Sequence, residues 1–298
     1  MPKVEEDPPL VFENEFKDIS PSVLDENEKA LFYGDPKTGK SHAALTAPDP
    51  ICYIGVGSDN EVKTFYSRMY QEKLKRKKDI FYAHSSESIG KMGRFDTAVG
   101  YDRTCKLIDL ALEADAAKKR EFATLVVDNV TVLDEFAMNK TIMISNTSRP
   151  ESMEDYKTWK VFQEQGILIP FDNDYRGLMS LTWKFVSWLH ALNKNVILIA
   201  HEYEVTKQDR KTKIPEVLGY KPLFTGNLRD RIAGKFDNVW RFSIEGQLYV
   251  ARTAPASNPT VIAGSRIGGV LAKDYADVNF ETAIKLFRNY AQTVNSKN

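Results

Sequence analysis

Residues Gly34-Asp-Pro-Lys-Thr-Gly-Lys-Ser41 spell a complete G-x-x-x-x-G-K-[ST]. A loop of this kind joins a buried strand to a helix, and its glycines let the backbone curl so that successive N–H groups converge on phosphate oxygens. The flanks agree. Ala30-Leu-Phe-Tyr33 is a short apolar run suited to a buried strand, and His42-Ala-Ala-Leu45 opens a helix whose N-terminus adds partial positive charge. The expected cradle is Gly34, Asp35, Pro36, Lys37, Thr38, Gly39, Lys40, Ser41 and His42. Lys40 would reach the β- and γ-phosphates of a nucleoside triphosphate, and the Ser41 hydroxyl would ligate Mg²⁺.

Such a cradle needs a second acid for the Mg²⁺ shell at the end of a neighbouring buried strand. Asp128 fits, since it closes the run Thr124-Leu-Val-Val and precedes Asn129. With Ser41 it forms the expected metal pair, so ATP and Mg²⁺ are the expected ligands. An acid to orient the attacking water is sought after the apolar run at 51–56, where Gly57-Ser-Asp-Asn-Glu61 offers Asp59 and Glu61, Glu61 slightly ahead. Both equally suit a helix cap and first turn, where acids are favoured. His201 follows a further apolar run at 196–200, with Glu202 beside it. At a strand's carboxyl end it would face the same crevice and sense the γ-phosphate through a hydrogen bond. His42, His84 and His190 show no metal-ligand spacing with Cys52 and Cys105, so no zinc site is indicated.

These short runs, apolar on both faces and separated by helical stretches at 61–77 and 103–118, are what a parallel α/β sheet requires. After Asp237 the texture changes. Residues 238–252 read as a hairpin turning at Glu245-Gly246, and 280–294 as a closing amphipathic helix. The expected organisation is an acidic arm at 1–27 and one α/β domain at 28–298. Within it lie an elaborated segment at about 131–176 and the hairpin plus helix at about 237–298. The arm carries a net charge of −6 and the remainder +6, within a chain of net charge zero. Two cysteines are too few for a disulfide scaffold, and no apolar run approaches the ~20 residues of a membrane span. With no secretory leader visible, the reading is cytoplasmic, with no membrane partner.

The order of these pieces resembles the RecA-superfamily ATPase core, and most of all the small phage-encoded AAA/RecA-type ATPases, including single-strand-annealing ATPases. The likeness spans roughly residues 28–272. It rests on 34–41, 125–129, 197–202 and the stretch Ile232-Ala-Gly-Lys-Phe-Asp-Asn-Val-Trp240. The resemblance implies a RecA-like P-loop core with ATP-dependent assembly, as a ring or filament, on single-stranded DNA. It also implies sites between subunits, with Arg266 (in Gly264-Ser-Arg266-Ile-Gly268) or Lys273 reaching the neighbour's γ-phosphate, and phage or host recombination proteins as partners. One departure stands out: the family places a Glu directly after the second strand, where this chain has Gly57-Ser58.

The same resemblance puts DNA-contacting loops in part of 131–176 and at 203–218. The latter holds Lys207, Arg210, Lys211 and Lys213 against Asp209, a net +3 suited to phosphate contacts without sequence readout. Tyr203 and Tyr220 flank it and are placed to stack on bases. Two other readings stand beside a DNA-recombination ATPase. One is a DNA-binding protein switched by ATP with little turnover, which the displaced acid favours. The other is a P-loop kinase of a small molecule with 207–213 as its lid.

Overall fold

The computed structural model describes residues 27–57, 79–89, 95–146, 170–208, 215–254, 261–266, 275–276, 280 and 282–285. A strand that is apolar at every position must be covered on both faces, and β1 (Lys29–Gly34) is buried throughout. Strands β2 (Ile51–Val56), β6 (Thr124–Asp128) and β7 (Asn195–Ala200) are likewise buried end to end. Helix α1 (Lys40–Ala44) follows the glycine-rich loop, α2 (Gly100–Ala116) leads to β6, and α3 (Val130–Asn146) and α4 (Asp172–His190) separate β6 from β7.

These strands lie in a nine-stranded sheet of order β13-β11-β10-β1-β7-β6-β2-β3, with β12 paired to β10. Here β3 is Ile80–Ser85, β10 Asn238–Glu245, β11 Leu248–Arg252, β12 Gly264–Ser265 and β13 Tyr275–Ala276. From β10 to β3 every pairing is parallel, and the other pairings, at the β11–β13 rim and on β12, are antiparallel. The expected α/β fold with a mostly parallel central sheet is therefore present, with the C-terminal hairpin as its rim. Residues 280 and 282–285 are helical; the rest of the expected closing helix lies outside the described residues, as does the helix at 61–77. Among the described residues no helix is long and apolar enough to cross a membrane.

Alternate side chains of β1 serve two cores. Leu31 and Tyr33 pack with Ile108 of α2, Leu133 and Phe136 of α3, and Leu178 and Phe185 of α4. Ala30 and Phe32 face Ala43 and Ala44 of α1, Trp240, Phe242 and Phe280. Phe32 stacks on Trp240 with ring centroids 5.0 Å apart and meets Phe280 edge-on at 5.8 Å.

Several elements depart from the sequence reading. β3 and α4 were not anticipated. The segment at 203–218, expected as a loop, forms most of a two-stranded antiparallel ribbon, β8 (Glu202–Gln208) against β9 (Pro215–Pro222), which belongs to a sheet of its own. Tyr, Val and Thr supply its strand propensity, and both charged (Glu204, Lys207, Glu216) and uncharged (Tyr203, Thr206, Val217) residues stand exposed along it. Short strands β4 (Ser88–Ile89) and β5 (Phe95–Thr97) pair separately, and α5 (Leu228–Arg231) with a 3₁₀ turn (Ile232–Lys235) leads into β10.

Candidate phosphate-binding site

The glycine-rich loop leaves β1 at Gly34, and its form is set by what stands behind it. A Cβ on Gly34 would lie 2.2 Å from the Phe242 carbonyl oxygen of β10. Gly39 has φ 93° and lies against the Tyr249 ring of β11, 3.3 Å from where its Cβ would be. Asp35, Pro36 and Lys37 form the exposed crest, Lys37 at φ 67°, and the Thr38 hydroxyl donates to the Asp35 carbonyl at 2.7 Å. Helix α1 has five residues and begins at Lys40 directly after Gly39. His42 lies half-buried on it.

Lys40 is buried and folded back on the loop, its Nζ donating to the carbonyls of Gly34 (2.8 Å) and Asp35 (2.6 Å). Burial lowers its pKa to about 8, against the opposing pull of Asp128, Glu202 and Asp35. The Ser41 hydroxyl donates to Asp128 Oδ2 at 2.7 Å, and the Tyr53 hydroxyl to the same oxygen at 2.5 Å. Burial raises the Asp128 pKa, opposed by those two bonds and by the charges of Lys40 and His201. The sequence-expected pair Ser41 and Asp128 thus stand side by side as hard oxygen donors, the donor type Mg²⁺ takes. Asn129 Oδ1 accepts the Thr131 N–H at 2.8 Å and caps the start of α3.

The sheet order places β7 between β1 and β6. His201, at the end of β7, therefore emerges between the loop and Asp128, as the sequence suggested. Its backbone N–H donates to Thr131 Oγ1 at 3.0 Å, and its buried Nδ1 has no hydrogen-bond partner among the described residues. Burial, then Lys40, lower its pKa and favour the neutral imidazole. Glu202 is committed elsewhere. It receives both Nε (2.9 Å) and Nη2 (3.3 Å) of Arg241, whose guanidinium lies 3.6 Å from the centroid of the Tyr220 ring.

Asp59 and Glu61 lie outside the described residues, as do Arg210, Lys211, Lys213 and Lys273. Lys207 is exposed on β8. Arg266 stands away from its own chain's phosphate loop. Ser265 pairs with Asn238, itself beside Ala30, whereas the loop begins beyond Gly34 at the other end of β1. Its guanidinium donates to the Gly234 carbonyl at 2.9 Å and pairs with Asp237 at 3.7 Å.

Tyr53, Tyr249 and the Glu202–Arg241 pair were missed from sequence. Tyr53 reads as one more apolar strand residue, and the others meet only through the sheet.

A search of curated proteins finds no match to the chain. A family model of an AAA domain matches residues 26–267, which include the glycine loop and Asp128, and the chain belongs to that family of AAA-type P-loop ATPases.

Proposed function

We propose that the chain hydrolyses Mg²⁺–ATP to drive DNA recombination or annealing, assembling as a ring or filament on single-stranded DNA. The carrying observation is continuity: β7 ends at His201 beside Lys40 and Asp128 and runs directly into the ribbon β8–β9, which bears Lys207. A ligand that moves His201 acts on the base of this ribbon, and the sequence between its two strands, 209–214, holds the remaining basic residues Arg210, Lys211 and Lys213.

Ser41 and Asp128 would hold Mg²⁺, which screens phosphate charge when bound. Lys40 would exchange the carbonyls of Gly34 and Asp35 for phosphate oxygens, keeping its charge on the γ-phosphoryl as negative charge shifts. Neutral His201 supplies one hydrogen bond at the γ-phosphate, and Asp59 or Glu61 would orient water. In an assembly, Arg266 would serve a neighbour's site, not its own, by presenting the lower edge of the sheet to that neighbour.

A second reading, an ATP-switched DNA binder with little turnover, is favoured by the engagement of Glu202 with Arg241. The test is ATP turnover with and without single-stranded DNA, for wild type and Lys40→Ala. Several-fold stimulation by DNA, abolished in the variant, supports the ATPase reading. Tight nucleotide binding with turnover indifferent to DNA overturns it and leaves the switch or a small-molecule kinase.

A further inference from the structure

Tyr53 sits in the middle of β2, fully buried, two residues before Gly55, which pairs with Asp128. Its ring belongs to the core beneath α1, beside Ala43, Ala44 and Val126, a place phenylalanine would fill as well. The hydroxyl is what packing does not explain, because a buried phenol needs a partner. Its partner is Asp128 Oδ2, the oxygen that also accepts the Ser41 hydroxyl. The wall is completed by Tyr82, whose ring lies 6.1 Å from that of Tyr53 and whose hydroxyl stands 2.4 Å from where a Gly55 Cβ would be. Asp128 is thus held in a nearly dry slot by one donor from the phosphate loop and one from the sheet.

The two donors differ in what they can do. Ser41 belongs to the loop that takes the ligand. Tyr53 belongs to a central strand and stays where it is. We propose that Tyr53 is a positioning residue for the metal half of the site: its phenol fixes the Asp128 carboxylate for Mg²⁺ and thereby sets affinity for Mg²⁺–nucleotide, while leaving affinity for nucleotide alone unchanged. This rests on the reading of Ser41 and Asp128 as the Mg²⁺ pair. Partners that orient a metal-site carboxylate typically govern 10- to 100-fold in metal affinity, roughly the range expected here.

The test is calorimetric titration of the full chain with ADP, in EDTA and in saturating Mg²⁺, for wild type, Tyr53→Phe, Asp128→Asn and the double variant. In EDTA, Tyr53→Phe should bind ADP within about twofold of wild type. The gain in affinity conferred by Mg²⁺ should fall about tenfold. In the Asp128→Asn background the same substitution should change that gain less than about twofold, since a residue acting through Asp128 has nothing left to act on. A full Mg²⁺ gain in Tyr53→Phe overturns the proposal, and so does an equal loss in the Asp128→Asn background. No Mg²⁺ gain in wild type overturns the metal pair itself, a different failure that the first column of the experiment reveals. Should Tyr53→Phe not fold, a fluorinated tyrosine at position 53 reads the same bond. Its ¹⁹F signal should shift on adding Mg²⁺ to the ADP complex, and a signal that ignores Mg²⁺ overturns the proposal.

Discussion

Lys40 is bonded to carbonyls of its own loop, and burial brings its pKa down to about 8. Phosphate oxygens would restore the charge, so binding above that pH must take up a proton. The sign follows: only protonated Lys40 serves the anion, and the free protein loses that proton as pH rises through about 8. Metal-free ADP affinity should therefore fall above about pH 8, toward tenfold per unit. Calorimetry across that range, with Lys40→Ala as reference, checks it; a flat wild-type profile removes Lys40 as the titrating contact. Residues of this kind were legible because a fixed spacing or the end of an apolar run marks them: Lys40, Ser41, Asp128 and His201 were all readable. The pairing of Glu202 with Arg241 was not, the two being 39 positions apart and brought together by strands flanking β1.

Among the elements, the ribbon β8–β9 depends on its base. Arg241 bridges Glu202 and Tyr220, the Tyr33 hydroxyl reaches the Tyr220 carbonyl at 3.3 Å, and Thr131 Oγ1 donates to the Leu223 carbonyl at 3.0 Å. Asp134, buried on α3, accepts the Thr182 hydroxyl and the Thr225 N–H, both at 2.9 Å. Removing one member of a partly buried ion pair strands the other, so Arg241→Ala should cost about 2 kcal/mol in denaturant unfolding. A variant as stable as wild type would show the pair to be idle. The missed elements have physical reasons too. α4 contains Gly177, unfavourable in a helix but required here, because a Cβ would lie 2.2 Å from Thr141 Cγ2 of α3. β3, an edge strand behind the lysine-rich stretch at 73–78, is largely half-buried and lacks the uniform apolarity of the inner strands.

For the whole molecule, the sheet order separates two tasks. Phosphate chemistry gathers where β1, β6 and β7 end, and the ribbon projects from that same edge. Thr206 and Val217 are paired across the ribbon, so replacing residues 207–216 with a two-residue turn should leave the base intact. Nucleotide affinity should then stay within about twofold of wild type, while stimulation of turnover by single-stranded DNA should disappear. Turnover assays with and without DNA decide this, and stimulation that survives the excision would move the DNA contact elsewhere. The parallel core was readable from its apolar runs. The ribbon was not, because a strand wet on most of its surface carries too little hydrophobic pattern to be distinguished from a loop.

The hairpin β10–β11 gives the two glycines of the phosphate loop a second meaning. Gly34 is bare where the backbone of β10 passes, and Gly39 is bare where the ring of Tyr249 rests. Loop and hairpin are therefore tooth and notch, and a motif grafted into another sheet without that wall would arrive as sequence but not as shape. Substitutions at position 249 or around Phe242 should be tolerated or rejected together with changes in the loop, so that the hairpin's evolutionary history is tied to that of a site whose ligand it need never touch.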